Sequence, residues 1–282
     1  MKSLVIGSTS AVGKAVACAL SRYGQVKLAG RRDADIAFDL SSQTPSNSDE
    51  RFDVVVLAAA DFGGNQPDDL IRAELVNSVG TLAACRLAEQ CGARHFILLS
   101  SRWACHQATD PYFGIYSLSK RHAEEVASLY CQARGMALSV LRISQVYDSG
   151  EQCRSHQPLL YAIADKAQAG QTVELYGSND ARRNYLHLSD FAEVCARLAE
   201  QGITGLYNCG HPETPRLSEI AEAAYQAFGK PVDVRFLAEK NDIPDLPPFD
   251  CAHELFERIG FIPRIDIRRG FELMRAHREN LS

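Results

Sequence analysis

The chain has no long apolar run, no cluster of basic residues and no CxxC pair in its 282 residues. Each absence removes a class of function. The longest hydrophobic stretches, such as VVVLAAA at 54–60, fall well short of the roughly 20 residues that cross a bilayer, so no membrane partner is expected. A formal net charge of -5 without any Lys/Arg-rich segment provides no general field for nucleic acid. Nucleic acid is therefore not an expected partner, and any phosphate must be held by local groups. The nine cysteines are scattered, and Cys18, Cys85, Cys131 and Cys195 sit within helical apolar patterns. Reduced, buried thiols fit this better than a disulfide framework or a zinc site, and no metal is expected. The opening KSLVIG is strand-like, with no signal-peptide architecture, which points to a cytoplasmic protein. With 46% hydrophobic residues, the chain can bury one large domain or a core domain with an appendage.

What is present is an alternation. Short β-branched runs (LVIG, QVKLAG, FDVVVLAAA, HFILLSS, ALSVLRIS) are separated by helix-period segments near 12–23, 69–91 and 116–134. This order predicts an α/β fold, a doubly wound parallel sheet of Rossmann type with helices on both faces. Residues 1–147 are expected to form the dinucleotide-binding core. Residues 148–282 read as a small C-terminal substrate-binding lobe, with some elements returning to the core. The polar SSQTPSNSDE at 41–50 reads as a surface connection.

In LVIGSTSAVGKAVACAL a strand runs into Gly7 and then into a helix that begins near Val12 or Gly13. Glycine permits the tight turn and close backbone approach, and a helix N-terminus offers free N–H groups to a pyrophosphate. Gly7 and Gly13 suit those roles, and Ser10 stands where a middle glycine is usual. After QVKLAG come Arg31 and Arg32, where an NAD-binding unit carries an acidic group for the ribose 2'-OH. Cations there suit a 2'-phosphate, which favours NADP with NAD as the other possibility; two arginines opening an exposed loop are the competing reading. Asp39 either faces the adenine end or caps its own backbone. Further on, GIYSLSK places Tyr116 and Lys120 four residues apart, on one face of a helix.

Taken together these motifs resemble the extended short-chain dehydrogenase/reductase family, which includes nucleotide-sugar epimerases, dehydratases and ketoreductases. The resemblance rests on GSTSAVG at 7–13, LAAA at 57–60, Asn77 to Thr81 (N-x-x-G-T), LLSS at 98–101, YSLSK, LRISQVY at 141–147, RRNYLHLSD at 182–190 and GLYNCG at 205–210. It implies a cofactor site formed by Gly7, Ser10, Val12, Gly13, Arg31, Arg32, Asp39, Leu40, Ala58, Ala59, Ala60 and Asn77, with Tyr116 and Lys120. It further implies a catalytic triad of Ser101, Tyr116 and Lys120. A free phenol has a pKa near 10, so a neighbouring cation is needed to stabilise the phenolate while Ser101 holds the substrate oxygen.

For the substrate, the resemblance points to Gln145 as an amide contact to sugar or phosphate and to Arg183 as the diphosphate grip, its planar fork suiting that task. A surface arginine is the plainer reading of Arg183. His156 matches a loop position where some relatives carry a histidine acid; a solvated loop histidine is the alternative. His187 reads as structural. Arg102 and Trp103 stand where 4,6-dehydratases carry an Asp-Glu pair, which disfavours dehydration, and the short interval from Ser101 to Tyr116 shortens the substrate loop. The chain is thus expected to be an NAD(P)-dependent oxidoreductase or epimerase acting on a hydroxyl or keto carbon of a sugar or nucleotide sugar. A homodimer through the helices before and within YxxxK is expected, since AELVNSVGTLAACRLAEQC carries an apolar stripe. A non-catalytic NADP-binding regulatory protein is the alternative.

Overall fold

Strands covered on both faces are written as continuous apolar runs, and the central strands of this protein are of that kind. The computed structural model describes residues 1–42, 50–251 and 253–281; of the polar stretch at 41–50, residues 43–49 lie outside the described residues. The first elements are β1 (Lys2–Ile6), α1 (Ala11–Leu20), β2 (Gln25–Gly30), β3 (Ile36–Ala37), β4 (Val54–Leu57) and α2 (Pro67–Glu74). A π-helical turn (Leu75–Val79) joins α2 to α3 (Gly80–Gln90), followed by β5 (His95–Ser101), α4 (Ile115–Arg134) and β6 (Ala137–Ile143). Then come β7 (Gln145–Tyr147), α5 (Pro158–Ala169), β8 (Val173–Tyr176), β9 (Tyr185–His187), α6 (Leu188–Gln201) and β10 (Gly205–Cys209). The chain closes with α7 (Leu217–Phe228), β11 (Val234–Leu237), α8 (His253–Ile259) and α9 (Ile267–Glu279).

Two units are formed. The first comprises Met1–Ile143, Ala192–Cys209 and Ala252–Phe261. Its sheet has seven strands in the order β10-β6-β5-β4-β1-β2-β3, every neighbouring pair parallel. This is a doubly wound Rossmann sheet, and the order reverses between β1 and β4, the place where such folds open a ligand crevice beyond the strand ends. All four residues of β4 and all seven of β5 are buried. GLYNCG, from the second half of the sequence, supplies the edge strand β10.

Local chemistry sets the helix boundaries. Ser10 has extended backbone geometry and its side chain accepts the Gly13 N–H at 3.3 Å, so α1 starts at Ala11, just before the expected Val12 or Gly13. The segment expected near 69–91 is helical from Pro67, with proline at the first turn where its missing N–H is harmless. The π turn inserts one extra residue and brings Asn77 inward, where it is buried. The second unit comprises Ser144–Phe191, Gly210–Cys251 and Ile262–Ser282. It carries two short parallel pairs, β7 with β9 and β8 with β11. TVELYG and NYLHLSD supply β8 and β9, while IDIRRGFELM forms most of α9. In this unit the Tyr161 hydroxyl donates to Asp148 Oδ1 at 2.8 Å, and Asp190 accepts the N–H groups of Arg264 and Ile265. Among the described residues, no helix is long and apolar enough to cross a membrane.

Candidate active site

The loops after β1 and β4 abut one another. Ala58 N and Ala59 N both donate to Ile6 O, at 2.9 and 3.0 Å, and a Cβ on Gly7 would lie 2.9 Å from Ala59 N. Gly7 has φ +128°, a conformation that strains any L side chain. A Cβ on Gly13 would come within 2.4 Å of Gly7 O, so the first turn of α1 presses directly on the strand end. The two glycines therefore let the strand end and the first turn of α1 meet through bare backbone, and Val12 lies in that first turn. Ser10 takes the cap position, so the Gly13 N–H is already satisfied by its hydroxyl.

Beyond β2, Arg31 and Arg32 are exposed. Ser8 Oγ donates to Arg32 O at 2.5 Å, which pins this turn to the glycine loop. Asp39 accepts from the backbone N–H and hydroxyl of Ser41 at 2.9 and 2.8 Å. Those bonds, with a smaller contribution from the Arg31 charge, hold its carboxyl below the usual range. Its side chain is thus engaged in capping its own turn. Leu40 is buried, and a Cβ on Gly80 would lie 2.8 Å from Leu40 Cβ. Ala58, Ala59 and Ala60 are half-buried at the β4 end. Asn77 clamps this region: its Oδ1 accepts Asp61 N at 2.8 Å, and its Nδ2 donates to Asp61 O at 2.7 Å and to Ser119 Oγ at 2.9 Å.

At the carboxyl end of β5 the three expected triad members come together. Tyr116 opens α4 beside Ser101, whose hydroxyl acts on the phenol, and Lys120 Nζ donates to Leu99 O at 2.7 Å. Burial pushes the Tyr116 phenol up to about 12, with the Ser101 side chain pulling the other way. Burial also brings the Lys120 ammonium down to about 8, against the charge of Glu124. Ser101 Oγ in addition accepts Trp103 N at 3.3 Å. The resting site holds a neutral phenol, a hydroxyl and a desolvated ammonium.

Two residues absent from the motif reading belong to this neighbourhood. Glu124, buried one turn beyond Lys120, accepts from Ser100 Oγ and forms a bidentate pair with Arg142, with Nε 3.0 Å from Oε1 and Nη2 2.6 Å from Oε2. Its signal was available, since 116, 120 and 124 share one helix face. Phe62 stacks on Tyr116 with centroids 4.9 Å apart and an interplanar angle of 24°. Nothing in the sequence singles it out.

The expected substrate residues lie in the second unit. Gln145, in β7, donates from Nε2 to Gln157 Oε1 at 3.2 Å, while its Oε1 is buried without a hydrogen-bond partner among the described residues. Arg183 is buried, and its fork donates to Arg182 O at 2.7 Å and Pro244 O at 3.0 Å, two of its five donors. His156 is exposed in the turn before α5. His187 is fixed by Ser149 and Ser189, each at 3.0 Å, a structural arrangement. No group of His, Cys, Asp and Glu side chains among the described residues is arranged to hold a metal ion.

A glycine-tight strand-to-helix turn beside the switch point of a parallel sheet, with Tyr116 and Lys120 on the helix after the adjoining strand, is the arrangement that the resemblance to the short-chain dehydrogenase/reductase family implies. The sequence model of the NAD dependent epimerase/dehydratase family matches residues 3–210, and the chain belongs to this family. It is 27% identical over 213 residues to UDP-glucuronic acid decarboxylase 6 of Arabidopsis thaliana, covering 70% of this chain and 61% of that relative. The chain thus spans less than two thirds of that relative's length. The fold is shared with RMD from Pseudomonas aeruginosa, solved with NADPH, at a TM-score of 0.79 and 18% identity over 100% of both chains. UDP-glucose 4-epimerase of Thermus thermophilus, solved with NAD, matches at 0.74 and 20%, again over 100% of both.

Proposed function

We propose that this protein is an NAD(P)-dependent oxidoreductase or epimerase acting on a hydroxyl or keto carbon of a nucleotide-linked sugar, with Ser101, Tyr116 and Lys120 as its catalytic residues. The observation that carries the reading is the buried Lys120 ammonium, fixed on Leu99 O at 2.7 Å at the end of β5 and one helical turn from Tyr116. Gly7, Ser10, Val12 and Gly13 would hold the pyrophosphate. Ala58, Ala59, Ala60 and Asn77 would line the cofactor beyond it, and Lys120 its ribose. Arg31 and Arg32, exposed after β2, favour the 2'-phosphate of NADP, with Asp39 and Leu40 completing that end. The bound dinucleotide supplies or accepts a hydride at the substrate carbon.

The protein's own part is proton transfer. Ser101 orients the substrate oxygen, and Tyr116 gives its proton to that oxygen in reduction or takes one in oxidation. A phenol held near 12 is protonated in the resting state, which suits the reductive direction. The phenolate left behind needs a cation, and Lys120 supplies it. Gln145 offers an unmet buried acceptor to a donor group of the substrate, a role shared in this reading with Arg183 and His156. The exposed Ile71, Val79, Leu82 and Leu129 on α2, the π turn, α3 and α4 favour a homodimer through these helices.

The test is a screen of UDP- and dTDP-sugars and their keto derivatives for NADPH oxidation or NAD(P)+ reduction, repeated with Tyr116→Phe. Turnover with at least one compound, lost by about 100-fold or more in the variant, is the expected result. Cofactor binding without turnover would instead favour the regulatory alternative.

A further inference from the structure

The glycine loop after β1 is tied to the turn after β2 by one buried hydroxyl. Gly7 N and Ser8 N both donate to Ala29 O, at 2.8 and 3.2 Å. Ser8 is 1% exposed, and its Oγ donates to Arg32 O at 2.5 Å. The hydroxyl fits there because the last residue of β2 is a glycine: a Cβ on Gly30 would lie 2.2 Å from Ser8 Oγ. The far limb of the same turn is closed as well, since Leu28 N donates to Asp35 Oδ2 at 2.8 Å and Asp35 N donates to Leu28 O at 2.9 Å. Between the two limbs the chain passes through Asp33 at φ +47°, in the left-handed region that aspartate tolerates better than most residues.

The turn held in this way carries Arg31 and Arg32, both exposed. A long cationic side chain on a loose turn loses conformational freedom twice on meeting an anion, once in its own rotamers and once in the main chain below it. Ser8 removes the second loss for Arg32 by fixing its carbonyl before any ligand arrives. A hydroxyl that served only to keep the glycine loop folded would affect every ligand of that loop alike. One that fixes Arg32 matters for whatever the guanidinium meets. We infer that Ser8 is a positioning residue for cofactor choice: its hydroxyl holds the main chain that presents the Arg32 guanidinium to the 2'-phosphate of NADP. The inference rests on the 2'-phosphate role proposed for Arg32. It makes a residue of the glycine loop discriminate between two cofactors whose pyrophosphates are identical.

Fluorescence titration with NADPH and NADH tests this without turnover, on wild type, Ser8→Ala, Arg32→Ala and the double variant Ser8→Ala/Arg32→Ala. Ser8→Ala is expected to weaken NADPH about fivefold, the scale of one intramolecular hydrogen bond, and to leave NADH within about twofold. The retained NADH binding shows at the same time that the glycine loop is intact. Without the guanidinium the serine should no longer matter, so the double variant should match Arg32→Ala for both nucleotides. NADPH affinity unchanged in Ser8→Ala, an equal loss for NADH, or the whole Ser8→Ala loss repeated in the double variant would each overturn the inference. Failure of the cofactor reading looks different: wild type would bind the two nucleotides alike and Arg32→Ala would change neither, which removes the inference together with the phosphate contact it depends on.

Discussion

Lys120 Nζ donates to Leu99 O, and Glu124, one turn further along α4, accepts from Ser100 Oγ. Positions 120 and 124 of one helix face hold two consecutive residues of β5, with Tyr116 on the same face one turn earlier. Lys120 is thus part of a helix-to-strand ladder, and its place is set by main-chain and buried polar contacts.

The first consequence concerns pH. Lys120, at about 8, is charged below that value and neutral above it, whereas Tyr116, near 12, keeps its proton throughout the neutral range. In the proposed reduction, the phenolate left on Tyr116 would be stabilised by a charged Lys120. The kcat for carbonyl reduction should therefore fall as pH rises through about 8, approaching tenfold per unit. Lys120→Arg, if active, should lose this inflection because a guanidinium stays charged. A flat wild-type profile from pH 7 to 10 would remove Lys120 from the role assigned to it.

The Glu124–Arg142 pair makes a stability prediction. Glu124 is buried and its partner's side chain is mostly covered, so truncating the acid strands a guanidinium that water reaches poorly. Glu124→Ala should cost about 3–5 kcal/mol in urea unfolding, with Ser100 losing its partner as well. A loss under about 1 kcal/mol, the scale of an exposed pair, would mean that solvent reaches the site.

Cofactor choice is tested at Arg31 and Arg32. If these cations meet a 2'-phosphate, Arg31→Ala and Arg32→Ala should each weaken NADPH by roughly tenfold, the scale of one charge-assisted contact. NADH affinity should stay within about twofold. Fluorescence titration of both nucleotides gives the ratio directly, and equal losses would show that the arginines do not discriminate.

The parallel sheet was legible because the periodicity of its strands is a direct image of burial on both faces, and the helices between them followed from their spacing. Other features required three dimensions. The π turn at Leu75–Val79 depends on Asn77 finding partners in Asp61 and Ser119, at separations of 16 and 42 residues. The two-residue β3 is too short to leave a pattern. At the candidate site, YxxxK spacing correctly places Tyr116 and Lys120 on one face. It gives no hint that the ammonium bonds Leu99 O or that Phe62 lies against the phenol. Those contacts join segments whose mutual approach is decided by sheet order.

A buried histidine remote from the triad gives the acid limit of the fold. His95 opens β5 and is buried; its Nε2 lies 2.7 Å from Ser139 Oγ, which itself donates to Ile203 O at 2.6 Å. The serine proton is thereby used, so His95 Nε2 carries the hydrogen and donates. Burial lowers this imidazole from 6.5 to about 4. Above pH 6.5 it is neutral in both folded and unfolded chains. Between 6.5 and about 4 the unfolded chain binds a proton that the folded one refuses, so stability falls as pH falls through that window. The full loss is about 3 kcal/mol, at up to about 1.4 kcal/mol per pH unit. Glutamine keeps an N–H donor and does not titrate, so His95→Gln should flatten this share of the slope. Unfolding free energies of wild type and variant, measured at several pH values between 4 and 7, should converge toward the acid end. Parallel curves would show that His95 does not titrate as its burial requires.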